Sequence, residues 1–179
     1  SGLNLIVEDN IRLNKKTTRK LLRTWLTKKN YYKRSREWAY KDIKPRIIIE
    51  KFLKDGEENS LIDYKFYCFN QKVKFVEIHI DRANEHKRGF YDLDFKPLPF
   101  RYVKLEKSIS SKINKPENFD EMIDLASKLS EKLPFVRVDF YSIDGKSIFG
   151  EMTFYPSGGR KDYIPNKYNK IVGDYFNLP

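Results

Sequence analysis

The sequence predicts an α+β fold in which antiparallel strands form the sheet and helices pack on one of its faces. Two hairpins support this prediction: each has two strand-like segments, joined at Asn70-Gln71 in the first and at Asp144-Gly145 in the second. Helical apolar periodicity comes before the first hairpin and again between the two. Because helices alternate with hairpins, antiparallel pairs dominate, and we expect the second face of the sheet to be left for a ligand.

The composition allows one large domain or two small lobes. The chain has 179 residues, 40% of them apolar, and its 13 Phe and 12 Tyr supply a core despite a mean hydropathy of −0.70. The formal net charge of +11 favours anionic partners such as nucleotides, acidic glycans, nucleic acid or an anionic membrane surface. No apolar run approaches the roughly 18–20 residues of a membrane span. The single cysteine, Cys68, excludes an internal disulfide framework, so we expect a cytoplasmic protein with a buried thiol.

The first third of the chain predicts a strand, a helix and a second strand. Leu3–Val7 is an apolar strand candidate, and Asn14 is placed to cap a helix over residues 16–29. A basic and aromatic segment follows at residues 30–44. Residues 46–53 are dense in β-branched side chains and contain a continuous apolar run, which predicts a central strand buried on both faces.

The middle of the chain predicts a hairpin, a long loop and the best-defined helix. The hairpin pairs residues 61–69 with residues 72–80. Residues 83–115 are charged, contain prolines and lack periodicity, so we expect a functional or disordered loop. The helix covers residues 118–131, with Asn118 as its N-cap and a glutamate three residues later completing a capping box. After the second hairpin, a turn at residues 155–159 leads into an irregular tail.

The second hairpin carries the clearest candidate site. If its loop is the three residues Asp144–Lys146, Asp139 lies opposite Glu151, Arg137 lies opposite Thr153, and all four share one face. Carboxylates opposed at roughly 5 Å repel one another, so a cation is expected between them. Two alternatives remain open here: a Mg²⁺ ion that also binds phosphate oxygens, or a solvated face that Arg137 or a lysine neutralises.

The order of these segments carries a resemblance to a known family. The segments are residues 40–50 (YKDIKPRIIIE), 63–66 (DYKF), 136–141 (VRVDFY) and 149–156 (FGEMTFYP). Together they resemble the C-terminal part of an ATP-grasp enzyme, and most closely the teichuronopeptide-biosynthesis (TupA-like) ATP-grasp family of bacterial surface-polysaccharide clusters. The resemblance implies a partial lid-like lobe at residues 1–45 and a larger lobe at residues 46–179. It also implies that an N-terminal lobe is missing from this chain.

The resemblance implies that ATP lies between two antiparallel sheets. Ser1-Gly2 would be a turn that follows the phosphate-binding loop, residues 50–53 a hinge beside the adenine, and Lys65 a phosphate contact that Asp63 orients or pairs with. The residues so assigned to ATP are Ser1, Gly2, Glu50, Lys51, Phe52, Leu53, Asp63 and Lys65.

The resemblance also implies catalytic arginines and a metal site. Arg82 and Arg137 would stabilise negative charge on the transferred phosphoryl group or on an acyl phosphate. Asp139 and Glu151 would hold Mg²⁺ on the ATP phosphates, with Thr153 beside them. Many relatives carry asparagine where this chain has Thr153, and a hydroxyl is a weaker ligand than an amide carbonyl.

The implied activity is that of a carboxylate–amine ligase. ATP phosphorylates a carboxylic acid, here an acidic sugar or amino acid, and an amine or another nucleophile displaces phosphate from the acyl phosphate. Without the upstream lobe, we expect the chain to bind nucleotide weakly and not to turn over alone. The alternatives are a single-stranded nucleic-acid-binding module, suggested by the basic and aromatic residues 31–40, a glycosyltransferase, and an inactive fragment. The even spread of charge along the chain argues against nucleic acid.

Overall fold

The computed structural model describes residues 3–7, 13–27, 36–53, 61–80, 85–102, 107–110 and 112–177. The chain forms two compact units, Ser1–Leu53 and Lys54–Pro179. The division into functional lobes at residues 1–45 and 46–179 stays a prediction.

Among its described residues, the first unit contains one α-helix, α1 (Lys15–Leu26). The Asn14 side chain accepts hydrogen bonds from the backbone N–H groups of Lys16 and Thr17, both at 3.1 Å, so the predicted N-cap is confirmed. The helix ends at Leu26, and the last two residues of the predicted helix, Lys28 and Lys29, lie outside the described residues.

The two strands predicted in this unit are wrong. Leu3–Val7 and residues 46–53 have no regular secondary structure, and Ile48 and Ile49 are 80% and 89% exposed. β-branched residues favour a strand only where a neighbouring strand supplies hydrogen bonds and packing. No partner strand is present among the described residues, so the local preference is not realised.

The second unit is built on a six-stranded sheet, which confirms the α+β class. The elements of this unit are β1 (Asp63–Phe69), β2 (Lys72–Ile80), β3 (Lys87–Tyr91), β4 (Arg101–Tyr102), β5 (Lys107–Ser108), α2 (Phe119–Leu129), β6 (Phe135–Ile143), β7 (Lys146–Thr153), β8 (Tyr163–Ile164) and α3 (Lys167–Gly173). The strands of the six-stranded sheet follow the order β5-β3-β2-β1-β6-β7, and every neighbouring pair is antiparallel except β3 and β5. A separate antiparallel pair joins β4 and β8.

Two segments that the sequence left irregular are structured. The predicted loop at residues 83–115 contains β3, β4 and β5, and the predicted tail contains β8 and α3. β3 pairs with β2 over five residues but contains only two apolar side chains, Phe90 and Tyr91. Its strand conformation is therefore set by pairing with β2, because its sequence lacks the alternating apolar pattern that predicts a strand.

Helix α2 covers one face of the sheet. Phe119, Met122 and Ala126 are fully buried against the side chains of β1 and β6 that point to this face. The predicted capping box is wrong, because the Asn118 side chain makes no cap hydrogen bond. Instead, Asn118 Nδ2 donates to Ser147 Oγ at 2.9 Å, and its Oδ1 accepts from Ser142 Oγ at 2.7 Å. Asn118 thus links the start of α2 to the second hairpin through two side-chain hydrogen bonds.

The other face of the sheet is covered at one end only. A second, mainly aromatic core forms there, and Val172 of α3 packs into it. The expectation that helices pack on one face alone is therefore corrected, since α3 contributes to this second face. The buried members of this core are Tyr67, Phe69, Phe75, Phe90, Phe100, Tyr102 and Val172.

The second hairpin has the predicted pairing of Asp139 with Glu151, but its turn and its bulge differ from the prediction. Its loop is the two residues Asp144 and Gly145, both with positive φ, and not the three assumed. A bulge between Asp139 and Phe140 then leaves Gly150 without a partner and restores the pairing of Asp139 with Glu151. A Cβ atom on Gly150 would lie 3.1 Å from the backbone oxygen of Asp139, so the bulge favours glycine.

Candidate functional site

A band of charged side chains crosses the sheet on the face opposite α2. Glu77, Lys65, Asp139 and Glu151 occupy directly paired positions on the four consecutive strands β2, β1, β6 and β7. The first three are at most 5% exposed. Burial of charge is costly unless each charge is paired. We call the set of Asp63, Lys65, Glu77, Arg137, Asp139 and Glu151 the charged band.

Lys65 lies between two carboxylates. Its Nζ is 2.7 Å from Asp63 Oδ2 and 2.5 Å from Asp139 Oδ2, and all three side chains are at least nine-tenths buried. The ion pair between Asp63 and Lys65, one of the two relations expected from the sequence, is present. An ammonium group has three donors, so two carboxylates leave it capacity for a third acceptor such as a phosphate oxygen.

Arg137 is the cation between the opposed carboxylates of the hairpin. Its Nε and Nη2 donate to Oδ1 and Oδ2 of Asp139, both at 2.7 Å. Nη2 also donates to Glu151 Oε1 and to Thr153 Oγ1, both at 2.9 Å. Burial lowers the pKa of Arg137, but the hydrogen bonds that it donates to Asp139 and the negative charge of that carboxylate outweigh burial and raise the pKa above its usual value. The guanidinium is therefore permanently charged.

The carboxylate oxygens of Asp139 and Glu151 are of the ligand type that Mg²⁺ prefers. Asp139 and Glu151 supply oxygen ligands on one face, and Mg²⁺ is commonly held by about one or two carboxylates with phosphate and water oxygens completing the shell. Arg137 now occupies both oxygens of Asp139 and one of Glu151. A bound metal would therefore require Arg137 to release at least one of these contacts. Within the described ranges, no group of three or more His, Cys, Asp or Glu side chains is arranged around a metal position.

The charged band continues into a buried cluster around Glu77. Tyr67 Oη donates to Glu77 Oε2 at 2.9 Å, and His79 Nε2 and Arg88 Nη1 lie 2.8 Å and 3.6 Å from Oε1. Burial raises the pKa of Glu77, but His79, Tyr67 and Arg88 outweigh it and lower the pKa to about 2. Burial lowers the pKa of His79 despite its contact with Glu77. Glu77 is therefore an ionised carboxylate, and His79 is neutral at pH 7.

Glu77 and its partners were not identified from the sequence. A simple two-residue turn at Asn70-Gln71 would pair Lys65 with Val76, one residue away from the observed partner. A bulge between Tyr67 and Cys68 shifts the register and brings Glu77 opposite Lys65. The polar residues Glu77 and His79, alternating with apolar ones near the end of β2, were the signal available in the sequence.

The remaining residues assigned by resemblance belong to the first unit or lie outside the described residues. Ser1, Gly2 and Arg82 lie outside the described residues. Glu50, Lys51, Phe52 and Leu53 belong to the first unit, in a segment without helix or strand. Their roles in ATP binding and catalysis stay predictions.

Comparison with known proteins gives one match. A family model described as TupA-like ATPgrasp matches residues 1–177. No curated protein and no solved structure matches the chain. Among the described helices, none combines the length and the apolar character that crossing a membrane requires.

Proposed function

Because this chain belongs to the TupA-like ATP-grasp family, we propose that it takes part in an ATP- and Mg²⁺-dependent carboxylate–amine ligation of bacterial surface-polysaccharide biosynthesis. The family suggests an ATP-grasp-type function in polysaccharide biosynthesis. The substrate class that we propose is an acidic sugar or amino acid, as in teichuronopeptide synthesis, and the cellular location that we propose is the cytoplasm.

The observation that carries the proposal is the charged band. Lys65 and Arg137 are cations placed directly beside the carboxylates Asp139 and Glu151 on a sheet face that α2 does not cover. Cations suit the non-bridging oxygens of a triphosphate, and carboxylates suit the metal that accompanies it. Glu151, at the edge of the band, has a side chain that is 62% exposed and can therefore be reached by a metal from solvent.

The side chains of the band have distinct roles in the proposed reaction. Lys65, held by Asp63 and Asp139, donates to the phosphates as a point charge. Arg137 leaves Glu151 and Thr153 when the nucleotide binds and donates to the γ-phosphoryl group through its Nη2. Asp139 and Glu151 hold Mg²⁺, which neutralises charge on the phosphates when bound. Thr153 lies beside these carboxylates, with its Oγ1 3.3 Å from Glu151 Oε1.

The proposed chemistry has two steps and no covalent enzyme intermediate. In the first, an oxygen of the substrate carboxylate attacks the γ-phosphorus, and ADP leaves. In the second, an amine attacks the carbonyl carbon of the acyl phosphate, loses a proton and expels phosphate. Positioning and fixed charge supply the rate enhancement in such a reaction. Lys65 and Arg137 are the groups that we propose offset the charge on the phosphoryl group.

Other roles in the proposal belong to residues away from the charged band. We propose that residues 50–53 meet the adenine edge through their backbone, that Ser1-Gly2 follows the phosphate-binding loop, and that Arg82 contacts the transferred phosphoryl group. We also propose that residues 1–45 belong to a lid-like lobe and residues 46–179 to the larger lobe. Family membership supports these assignments.

A binding assay tests the nucleotide part of the proposal. We expect Mg²⁺ with a non-hydrolysable ATP analogue to raise the melting temperature of the protein, because a ligand that binds only the folded state stabilises it. The same concentrations of a GTP analogue and of UDP-sugars should have a smaller effect. Glu151→Gln should abolish the shift, whereas Glu85→Gln, an exposed carboxylate paired with Lys107 and Lys87, should retain it.

Equal stabilisation by all nucleotides, or an undiminished shift in Glu151→Gln, would count against the proposal. A second assay addresses the chemistry in a preparation that includes the upstream lobe expected from the resemblance: this protein is incubated with Mg²⁺·ATP, hydroxylamine and a panel of sugar acids and amino acids. An acyl phosphate reacts with hydroxylamine to give a hydroxamate, with one ADP released per hydroxamate. ADP release without hydroxamate would contradict the acyl-phosphate route.

A further inference from the structure

The net positive charge of the chain is concentrated in the first unit. Ser1–Leu53 contains 15 of the 36 Lys and Arg residues but only 5 of the 25 Asp and Glu residues, which gives a formal net charge of +10. Lys54–Pro179 contains 21 basic and 20 acidic residues, so its net charge is only +1. Basic residues occur throughout the sequence, but their excess over acidic residues does not. The charged band lies in the second unit and does not account for this excess.

Helix α1 carries a dense part of the charge. Five of its 12 residues are Lys or Arg and none is Asp or Glu, and all five are exposed. None of them forms an ion pair with a carboxylate among the residues that the structure describes. Because like charges one turn apart on a helix repel one another, contact with an anionic surface would stabilise the helix. The five residues are Lys15, Lys16, Arg19, Lys20 and Arg23.

The neighbouring side of α1 is apolar and only partly covered. Leu21, Leu22, Trp25 and Leu26 lie on one side of the helix, within about 140° of its circumference at 3.6 residues per turn. No residue of α1 is buried, and Leu21 and Leu26 are 39% and 38% exposed. A basic side next to an apolar side with Leu and Trp is the pattern of a helix that lies in the interface of a membrane.

The threonines of α1 do not oppose such a contact. Thr17 Oγ1 donates to the backbone oxygen of Asn14 at 3.0 Å, and Thr24 Oγ1 donates to that of Lys20 at 3.1 Å. Both hydroxyl protons are therefore hydrogen-bonded within the helix. A polar group whose hydrogen bond is already made costs less to remove from water than one without a partner.

We propose that α1 binds an anionic lipid surface, with its Lys and Arg side chains at the head groups and its Leu and Trp side chains between the head groups and the acyl chains. Clusters of basic residues attract anionic lipids, and the tryptophan ring favours the boundary between water and hydrocarbon. Nucleic acid would satisfy the basic residues but would offer no apolar phase to Leu21 and Leu26. With 12 residues, α1 is shorter than the roughly 20 residues that a membrane span needs, so it lies in the plane of the interface.

Flotation of the full chain with lipid vesicles tests this inference. We expect binding to vesicles of equal parts phosphatidylglycerol and phosphatidylcholine, none to phosphatidylcholine alone, and weaker binding as salt is added. Lys16→Gln/Lys20→Gln should lower the partition coefficient at least about tenfold, because each basic residue near the surface contributes to the attraction. Lys72→Gln/Lys146→Gln is the matched control. It removes the same charge from exposed positions of the second unit and should leave the partition coefficient within about twofold of wild type.

A second pair of substitutions separates insertion from attraction by charge alone. Leu21→Gln/Leu26→Gln keeps the charge and the helix preference of α1, and it should weaken vesicle binding about tenfold. Far-ultraviolet circular dichroism checks that each variant is folded. Equal weakening by the two lysine pairs, or vesicle binding that the leucine pair leaves unchanged, would overturn the inference. Binding of oligothymidylate without binding of anionic vesicles would also overturn it, in favour of nucleic acid.

Tryptophan fluorescence locates the helix in bound protein. Trp25 and Trp38 are the two tryptophans of the chain, so Trp38→Phe leaves Trp25 as the single reporter. Its emission should move to shorter wavelength on binding to the anionic vesicles and should be quenched by bromine atoms on the acyl chains. Bound protein whose Trp25 is neither shifted nor quenched would overturn the inference. None of these results depends on ATP, so this inference and the proposed function fail separately.

Discussion

Replacement of Asp139 by asparagine removes the carboxylate at the centre of the charged band. Asp139 is 2% exposed and accepts charge-assisted hydrogen bonds from Lys65 and from two nitrogens of Arg137. An asparagine would keep one acceptor oxygen but turn an NH₂ group towards a cation. Removal of one partner of a buried ion pair costs about 3–5 kcal/mol, and the cost here should lie at the lower end of that range because Lys65 keeps Asp63 and Arg137 keeps Glu151 as partners. For a domain of this size, that corresponds to a fall in melting temperature of roughly 6–20 °C.

Urea unfolding, followed by circular dichroism, measures the change in the free energy of unfolding. We expect the midpoint of Asp139→Asn to fall while the slope with denaturant stays constant, because the mutation alters stability and not the surface exposed on unfolding. Glu151→Gln is the matched control. Its side chain is 62% exposed and shares the same Arg137, so its loss should cost less than about 1 kcal/mol.

A result with Asp139→Asn as stable as the wild type would refute the reasoning, since Lys65 and Arg137 would then not depend on this carboxylate. Equal losses in the two variants would also refute it, because burial would then make no difference to the energy of the charges. The difference between the losses of unfolding free energy in Asp139→Asn and Glu151→Gln is therefore more informative than either loss alone.

Three further outcomes follow from the geometry. Gly150→Ala should lose about 1–3 kcal/mol of unfolding free energy in urea because its Cβ would crowd the bulge, whereas Gly173→Ala, with no atom within 4 Å of the new Cβ, should be neutral or stabilising; equal effects would argue against the bulge. Because Glu77 has its pKa lowered to about 2 from 4.5, its ionised form contributes stability above pH 4.5 that is lost as the pH falls towards 2. The difference in urea stability between wild type and Glu77→Gln should thus be constant from pH 7 to about pH 5 and narrow below, and a constant difference down to pH 3 would contradict it. Burial raises the pKa of Cys68 to about 12, so a thiol reagent at pH 8 should modify it only at the rate of unfolding, and rapid modification of the folded protein would contradict its burial.

Local signals in the sequence predicted several elements correctly. The Asn14 cap is a contact within three residues of the chain, and the dipeptides Asn70-Gln71 and Asp144-Gly145 occupy the turns of their hairpins. The alternation in the second hairpin placed Asp139 and Glu151 on one face. Such features depend on neighbouring residues alone, so a single sequence contains the information needed to predict them.

Features that depend on distant parts of the chain were not predictable in the same way. The bulge at Gly150 compensates for the shorter turn, and glycine inside a strand was its only sequence signal. The bulge in the first hairpin leaves Lys74 without a partner, and no glycine marks it. The pairing of Lys65 with Glu77 depends on this bulge, so it could not be predicted from the sequence.

The failures at residues 46–53 and at β3 have opposite causes. Ile48 and Ile49 have strong strand preference but no partner strand among the described residues. Residues 87–91 have weak strand preference, yet β2 pairs with them along their whole length. Partner availability, which is a property of the whole fold, decided both cases.

Electron paramagnetic resonance of Mn²⁺, used in place of Mg²⁺, measures metal binding at the charged band without a turnover assay. Arg137 neutralises Asp139 and Glu151 in the structure, so Mn²⁺ should bind weakly alone and at least tenfold more tightly with a non-hydrolysable ATP analogue, which gives Arg137 a new acceptor. Glu151→Gln should remove this nucleotide-dependent binding. Mn²⁺ binding that is the same with and without the nucleotide, or the same in wild type and Glu151→Gln, would contradict the assignment of the charged band as the Mg²⁺·ATP site.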